Sequence, residues 1–227
     1  MFKGFTKETS DFLWELSFHN ERPWFLEHKE QFERCLNQPF RDLARETAAL
    51  MEERWPQIDW RVHISRIYRD ARRLFGRGPY KDHLWFTVSD GDPHSMGPAF
   101  WFEIGPAVYS YGMGFWDPPP AEMDFFRRSI DANPARFERL ASDLARRRGL
   151  RLGGPEYKRP KGDLGPAINP WYNRRYLFVE SEHDFGGDAL SAGLPKKLLS
   201  AYEKLMPMYA YLMEVHRGYG QSVEEKQ

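Results

Sequence analysis

The sequence predicts an α+β fold, in which an antiparallel sheet of about four or five strands is packed with N-terminal and C-terminal helices. Two observations predict it. Apolar residues recur at helical spacing through the first sixty positions and again near the C-terminus, whereas between Trp60 and Trp116 the repeat shortens to two. Hydrophobic residues make up 41% of the 227 positions and aromatics 16%, so one α+β domain spanning residues 1–227 has ample core material. No apolar run approaches the ~18 residues that cross a bilayer.

The first helix is expected to begin at Thr9 or Ser10 and to bury Phe12, Leu13, Leu16 and Phe18. After a break over residues 19–23, Trp24, Phe25, His28, Phe32 and Leu36 form a second stripe that should end before Pro39. Leu43, Ala44, Thr47, Leu50 and Met51 mark a third helix. Strands are expected over 63–69 and 83–89, then over 99–104 and 108–113, the last two joined by Gly105-Pro106-Ala107 at hairpin spacing. In the third of these Phe100, Phe102 and Ile104 share one face, with Trp101 and Glu103 on the other. Helices follow over 122–130 and 134–148, the second capped by Asn133, opened by Pro134 and closed by Gly149. Residues 149–174 read as a long ordered loop, 176–179 as a further strand and 195–215 as the last helix, with a kink expected at Pro207 and fraying after Arg217.

Charge is balanced overall at thirty-three basic and thirty-three acidic residues, which disfavours a globally basic nucleic-acid binder. It is not balanced locally. Through Trp60 there are twelve Asp or Glu against eight Lys or Arg, while residues 61–81 hold seven Lys or Arg and one acid, Asp70. If residues 61–69 are extended, Arg61, His63, Ser65, Ile67 and Arg69 face one way and Arg66 and Tyr68 the other. Arg72, Arg73 and Arg77 then lie on the following glycine-containing loop, where guanidinium forks and backbone N–H groups can converge on a phosphate or carboxylate. In this reading Arg66, Arg69, Arg72 and Arg77 supply the positive field. Asp70 orients an arginine or acts as a base, and Tyr80 with Lys81 closes the site. An acid among so many cations has a depressed pKa, which favours the orienting role.

These residues carry a resemblance to the family known as domain of unknown function 2461, whose signature is Arg-x-x-Arg-Asp-x-Arg-Phe, then two residues, Asp or Asn, Lys, two residues and Tyr. Arg66, Arg69, Asp70, Arg72 and Tyr80 match at the right spacing. Arg73 stands where the family has Phe, Gly76 where it has an acid or its amide, and Arg77 where it has Lys. The segment Asn20-x-Arg22-x-Trp24-Phe25 and the later Tyr157-Lys158-Arg159-Pro160-Lys161-Gly162 are also similar to family segments. The resemblance implies a site at the arginine motif, with Lys158 and Lys161 as further ligand-binding candidates. It implies no reaction.

Two other readings stand beside the anion site. The Arg–Asp pairs can form an internal network that ties a loop to the sheet. The motif, together with residues 146–161, can instead be the basic surface of a nucleic-acid or protein-binding module without catalysis. Aromatic stacking on single strands would require Trp101, Tyr109 or Tyr111 to be exposed beside the arginines. The corner at Asn20–Phe25 reads as a helix junction anchored by Trp24. Seven histidines without ligand spacing and a single cysteine, Cys35, give no sign of a metal site, and Cys35 reads as inert. There is no Walker loop, GxGxxG, GxSxG or kinase motif. No apolar leader precedes residue 12, so the cytoplasm is the expected compartment, with an anionic small molecule as the expected partner and no membrane. Catalytic residues and cofactors are not assigned.

Overall fold

Pro39 has no N–H to give the carbonyl of Cys35, four residues earlier, and the chain answers this without ending its helix. Helices α2 (Arg22–Glu27) and α3 (Lys29–Phe32) run into a π-helical turn over Glu33–Asn37, which passes directly into α4 (Gln38–Arg54). The Cys35 carbonyl accepts a hydrogen bond from Thr9 Oγ1 at 2.7 Å, so Thr9 is buried although polar. Helix α1 (Lys7–Phe18) starts two residues before Thr9, which instead accepts from the Thr6 N–H at 3.1 Å and closes the first turn. The break expected at Pro39 is thus absent, because an inserted π turn re-routes the hydrogen bonds.

The computed structural model describes residues 1–70, 72, 76–91 and 97–225. The sheet has six strands in the order β1-β2-β3-β4-β6-β5, with β1 Trp60–Ile64, β2 Leu84–Asp90, β3 Ala99–Ile104, β4 Val108–Phe115, β5 Arg151–Gly153 and β6 Leu177–Asp184. The α+β class and antiparallel pairing agree with the sequence, and the strand count exceeds the expected four or five. The additional strand, β5, is three residues long, too short to show a period of two. It pairs Leu152 with Val179 at the sheet edge.

The first strand also differs in place. It pairs Ile64 with Phe86 and ends there, not at residue 69. The Ser65 N–H still donates to the Trp85 carbonyl at 2.8 Å, and the Trp85 N–H donates to Ser65 Oγ at 3.0 Å. Ser65 thereby fills the last rung with its hydroxyl and releases the chain from the sheet.

The chain divides into two compact units. The first comprises Met1–Pro93, Trp101–Tyr111 and Glu182–Ser200. Its core is aromatic: Phe102 packs against Phe5, Phe40 and Phe86, with centroids 5.6–6.3 Å apart. The second comprises His94–Phe100, Gly112–Ser181 and Ala201–Gln227. It holds α5 (Pro120–Ala132), α6 (Pro134–Ala145), the short α7 (Asn169–Tyr172) and most of α8 (Leu194–Glu224). Asn133 Oδ1 accepts from the Arg136 N–H at 3.1 Å, the cap expected ahead of Pro134. Phe126, Phe137, Trp171 and Tyr211 form the core beneath these helices. Helix α8 contains Pro207 and continues past Arg217, where fraying was expected. No helix among the described residues is long and apolar enough to cross a membrane.

Candidate functional site

Beyond Ser65 the ladder has ended, but the side chains keep alternating in burial. Ser65 and Ile67 are buried and Arg69 is half-buried, while Arg66, Tyr68 and Asp70 are exposed. The returning arm completes a narrow hairpin: the Arg69 N–H donates to Pro79 O at 2.8 Å, the Lys81 N–H donates to Ile67 O at 2.7 Å, and Tyr68 bridges Tyr80. The arginine motif is therefore a small two-armed loop standing off the end of the sheet.

Alternation divides the arginines by task. Arg69, with a side chain 14% exposed, points inward. Its Nε donates to Tyr80 O at 2.7 Å, and its guanidinium reaches Asp82 at 3.3 Å, so it clamps the two arms together. Burial acts to raise the Asp82 carboxyl, but the His83 hydrogen bond, its own backbone N–H, the His83 charge and Arg69 together hold it below its usual range. Arg72 and Asp70 form a bidentate pair, closest at 2.8 Å, and the Asp70 carboxylate also accepts the Arg72 backbone N–H at 3.0 Å. Arg72 is 88% exposed, so Asp70 orients a guanidinium that faces solvent. Arg66 and Arg77 are exposed, and neither has a side-chain hydrogen bond or ion pair among the described residues. Arg73 lies outside the described residues.

Tyr80 lies in the core, with its ring stacked on Phe25 at 4.1 Å. Burial pushes its hydroxyl above the usual tyrosine range. Lys81 is half-buried over the Trp85 ring, and burial, followed by the charge of Arg69, lowers its ammonium pKa.

Asn20, expected only as part of a helix corner, is a fastening residue of the motif. Its side chain brackets Tyr80 like a strand partner: the Tyr80 N–H donates to Oδ1 and Nδ2 donates to the Tyr80 carbonyl, both at 2.9 Å. Gly78 sits so close that a Cβ there would lie 2.3 Å from Asn20 O and Oδ1. The corner after α1 is thus a fastening for the motif, and Phe25, not Trp24, is its buried anchor. The signal was the Asn20–Phe25 segment itself, since no periodicity marks an asparagine that hydrogen-bonds a remote backbone.

Lys158 and Lys161 belong to the second unit, in a loop fastened by Asn173. Asn173 Oδ1 accepts from the N–H groups of Lys161 at 2.6 Å and Gly162 at 3.3 Å, and its Nδ2 donates to Gly162 O at 3.2 Å. The Lys161 ammonium sits 4.7 Å from the Tyr157 ring centroid, whereas Lys158 is exposed. The aromatic run contributes no open platform: Trp101, Tyr109 and Tyr111 are all buried. Tyr68, 55% exposed on the same side as Arg66, is the aromatic that stands beside the arginines. Burial pushes the Cys35 thiol up to about 12, which suits an inert core residue.

A family model described as a conserved hypothetical protein, DUF2461, matches residues 8–211, and the chain belongs to that family. No curated protein matches the chain.

Proposed function

We propose that this member of the DUF2461 family binds an anionic, phosphate-bearing small molecule on the outer face of its arginine hairpin. The observation that supports this most is the division of labour within the motif. Arg69 and Asn20 fasten the two arms at Tyr80, while Arg66 and Arg77 stand exposed with no acid paired to them among the described residues. A fastened backbone presents these arginines side by side, and their planar forks suit an oxyanion. Arg72, turned outward by Asp70, is a third donor that exchanges its carboxylate for the ligand. If chemistry occurs there, these cations stabilise developing negative charge.

Thermal unfolding of wild type and of Arg66→Met/Arg77→Met against phosphate metabolites, sulfate and short oligonucleotides tests the reading. A ligand that binds the native state raises the midpoint by mass action. Stabilisation of the wild type alone by one phosphate class supports the site, and equal shifts in both proteins overturn it.

Tyr68 favours a second reading, single-stranded nucleic acid, because an exposed ring beside Arg66 offers a stacking surface next to a phosphate contact. Affinity for an oligonucleotide that falls steeply with salt and drops in Tyr68→Ala would select it.

A further inference from the structure

We propose that the Tyr157 loop of the second unit is a separate phosphoryl-binding site, built on Lys161, Arg175 and Arg127, which gather around the Tyr157 ring. Three cations share that one ring. Lys161 Nζ lies 4.7 Å from its centroid, the Arg127 guanidinium 5.3 Å and the Arg175 guanidinium 5.8 Å. No two of them can be further apart than twice the largest of these distances, close to the ~10 Å screening length of ordinary buffers. They therefore repel one another, and a bound dianion relieves that repulsion.

The cluster is built rather than incidental. Arg127 is buried on α5, with a side chain 6% exposed, held by Asp124 at 2.6 Å and by the Tyr172 carbonyl at 3.4 Å. Tyr172 in turn donates its hydroxyl to both carboxylate oxygens of Asp131 at 3.1 Å. The loop is held from the other side, where the Tyr157 N–H donates to Asn173 O at 2.9 Å and the Arg175 N–H to Pro155 O at 2.8 Å. Asn173 fixes the backbone at Lys161 and Gly162 as described above.

Acids do not balance this charge. Asp124 is paired with Arg127, and Glu156 with Arg174 at 3.3 Å. Lys158, Arg159, Lys161 and Arg175 are exposed and have no carboxylate partner among the described residues. The Asp124 carboxyl is held below its usual range, first by the Arg127 hydrogen bond and further by the Arg127, Lys161 and Arg128 charges, so the positive field extends beyond its own ion pair. A buried guanidinium backing two exposed cations on a fastened loop suits a compact, doubly charged group on a small soluble molecule. A long polyanion would instead need an extended stripe.

This proposal stands apart from the arginine hairpin and survives or fails without it. The experiment is calorimetric titration of the full chain with inorganic pyrophosphate, for wild type, Lys161→Met/Arg175→Met, Tyr157→Ala and Arg66→Met/Arg77→Met. The expected result is a saturable binding step in wild type whose Kd is at least tenfold weaker in the Lys161/Arg175 variant and changes by no more than twofold in the Arg66/Arg77 variant, any separate step at the hairpin being the one that the Arg66/Arg77 variant loses. Tyr157→Ala leaves every charge in place and is expected to weaken binding at least threefold, which a diffuse positive field would not do. Lys161→Arg is expected to retain binding, which separates loss of the site from loss of the fold. Absence of saturable binding in wild type overturns the proposal. So does loss confined to the Arg66/Arg77 variant, or equal weakening in both double variants.

Discussion

Replacing Asn20 by alanine should loosen the arginine hairpin. The substitution removes two 2.9 Å hydrogen bonds and leaves the half-buried Tyr80 N–H without its acceptor. The Tyr80 carbonyl keeps its 2.7 Å bond from Arg69 Nε and is only partly orphaned. Each intramolecular hydrogen bond contributes about 1 kcal/mol net, and an unsatisfied buried donor costs about 1–3 kcal/mol. Solvent that can reach the opened corner reduces the second figure, so the expected loss is about 2 kcal/mol. For a chain of this length that corresponds to roughly 4–8 °C in Tm. Denaturant unfolding of Asn20→Ala measures it. Asn20→Asp keeps the acceptor for the Tyr80 N–H but sets a carboxylate against the Tyr80 carbonyl, and should fall between the two proteins. Because Arg69 and Asn20 share one acceptor, a double-mutant cycle with Arg69→Met should show a coupling of at least 0.5 kcal/mol. A loss under 0.5 kcal/mol for Asn20→Ala would show that Asn20 does not hold the hairpin, and strict additivity with Arg69→Met would show that the two do not act through their shared acceptor.

Gly78→Ala should cost about 1–3 kcal/mol, since the new methyl meets Asn20 O and Oδ1 at 2.3 Å and the backbone oxygen cannot step aside as a side chain can. In Gly78→Ala/Asn20→Ala the side-chain clash disappears, and denaturant unfolding should show a total smaller than the sum of the single effects. With its thiol pushed up to about 12, Cys35 should resist alkylation by iodoacetamide at pH 8 in the native chain and react readily in denaturant; comparable native labelling would contradict its burial. His183 stacks on Tyr109 and Tyr111, with Nε2 3.1 Å from the Tyr111 hydroxyl. Burial, followed by the charge of Lys197, lowers its pKa from 6.5. The unfolded chain therefore takes up the proton first as pH falls. The stability from neutral His183 is complete above pH 6.5 and declines as pH drops from there through the lowered folded value. Thermal unfolding between pH 7.5 and 5 should show a steeper acid limb for wild type than for His183→Phe, and parallel limbs would refute the assignment.

The β3–β4 hairpin was legible because both of its signals are local: alternation through residues 99–104 and turn-forming residues at 105–107. The strand expected over 63–69 shows why alternation alone misplaces an element. Side chains alternate in burial from Ser65 to Asp70, so the pattern recorded the environment correctly. The backbone had already left the sheet at Ser65, because a side-chain hydroxyl can stand in for a rung and no periodicity registers that exchange. Pro39 misled in the opposite sense. Its missing N–H is compensated by Thr9, thirty residues away in sequence, and such a remote donor has no local signature. Of the candidate site, the partition of Arg69 from Arg66 followed from alternation, whereas the bracket at Asn20 is a contact across sixty residues that only folding makes.

This partition bears on how a cation-rich motif persists in a chain with equal numbers of acids and bases. An inward arginine must satisfy its donors on protein acceptors, and Arg69 does so on a backbone carbonyl and Asp82. The outward ones face no such demand, because water solvates them. A substitution at Arg69 is thus felt as lost stability, and one at Arg66 or Arg77 as lost affinity, although all three occupy the same short loop. Arg72 lies between these cases: its donors are satisfied by Asp70, yet the pair is exposed and its net contribution to folding is small. Asp70→Asn would free that guanidinium without disturbing the clamp. The proposed anion site then requires Asp70→Asn to bind its phosphate ligand at least as tightly as wild type, with unchanged Tm. Weaker binding at unchanged Tm would mean that Asp70 serves the ligand site, by orienting Arg72 toward the ligand or by acting on the ligand itself, and does not merely compete for Arg72.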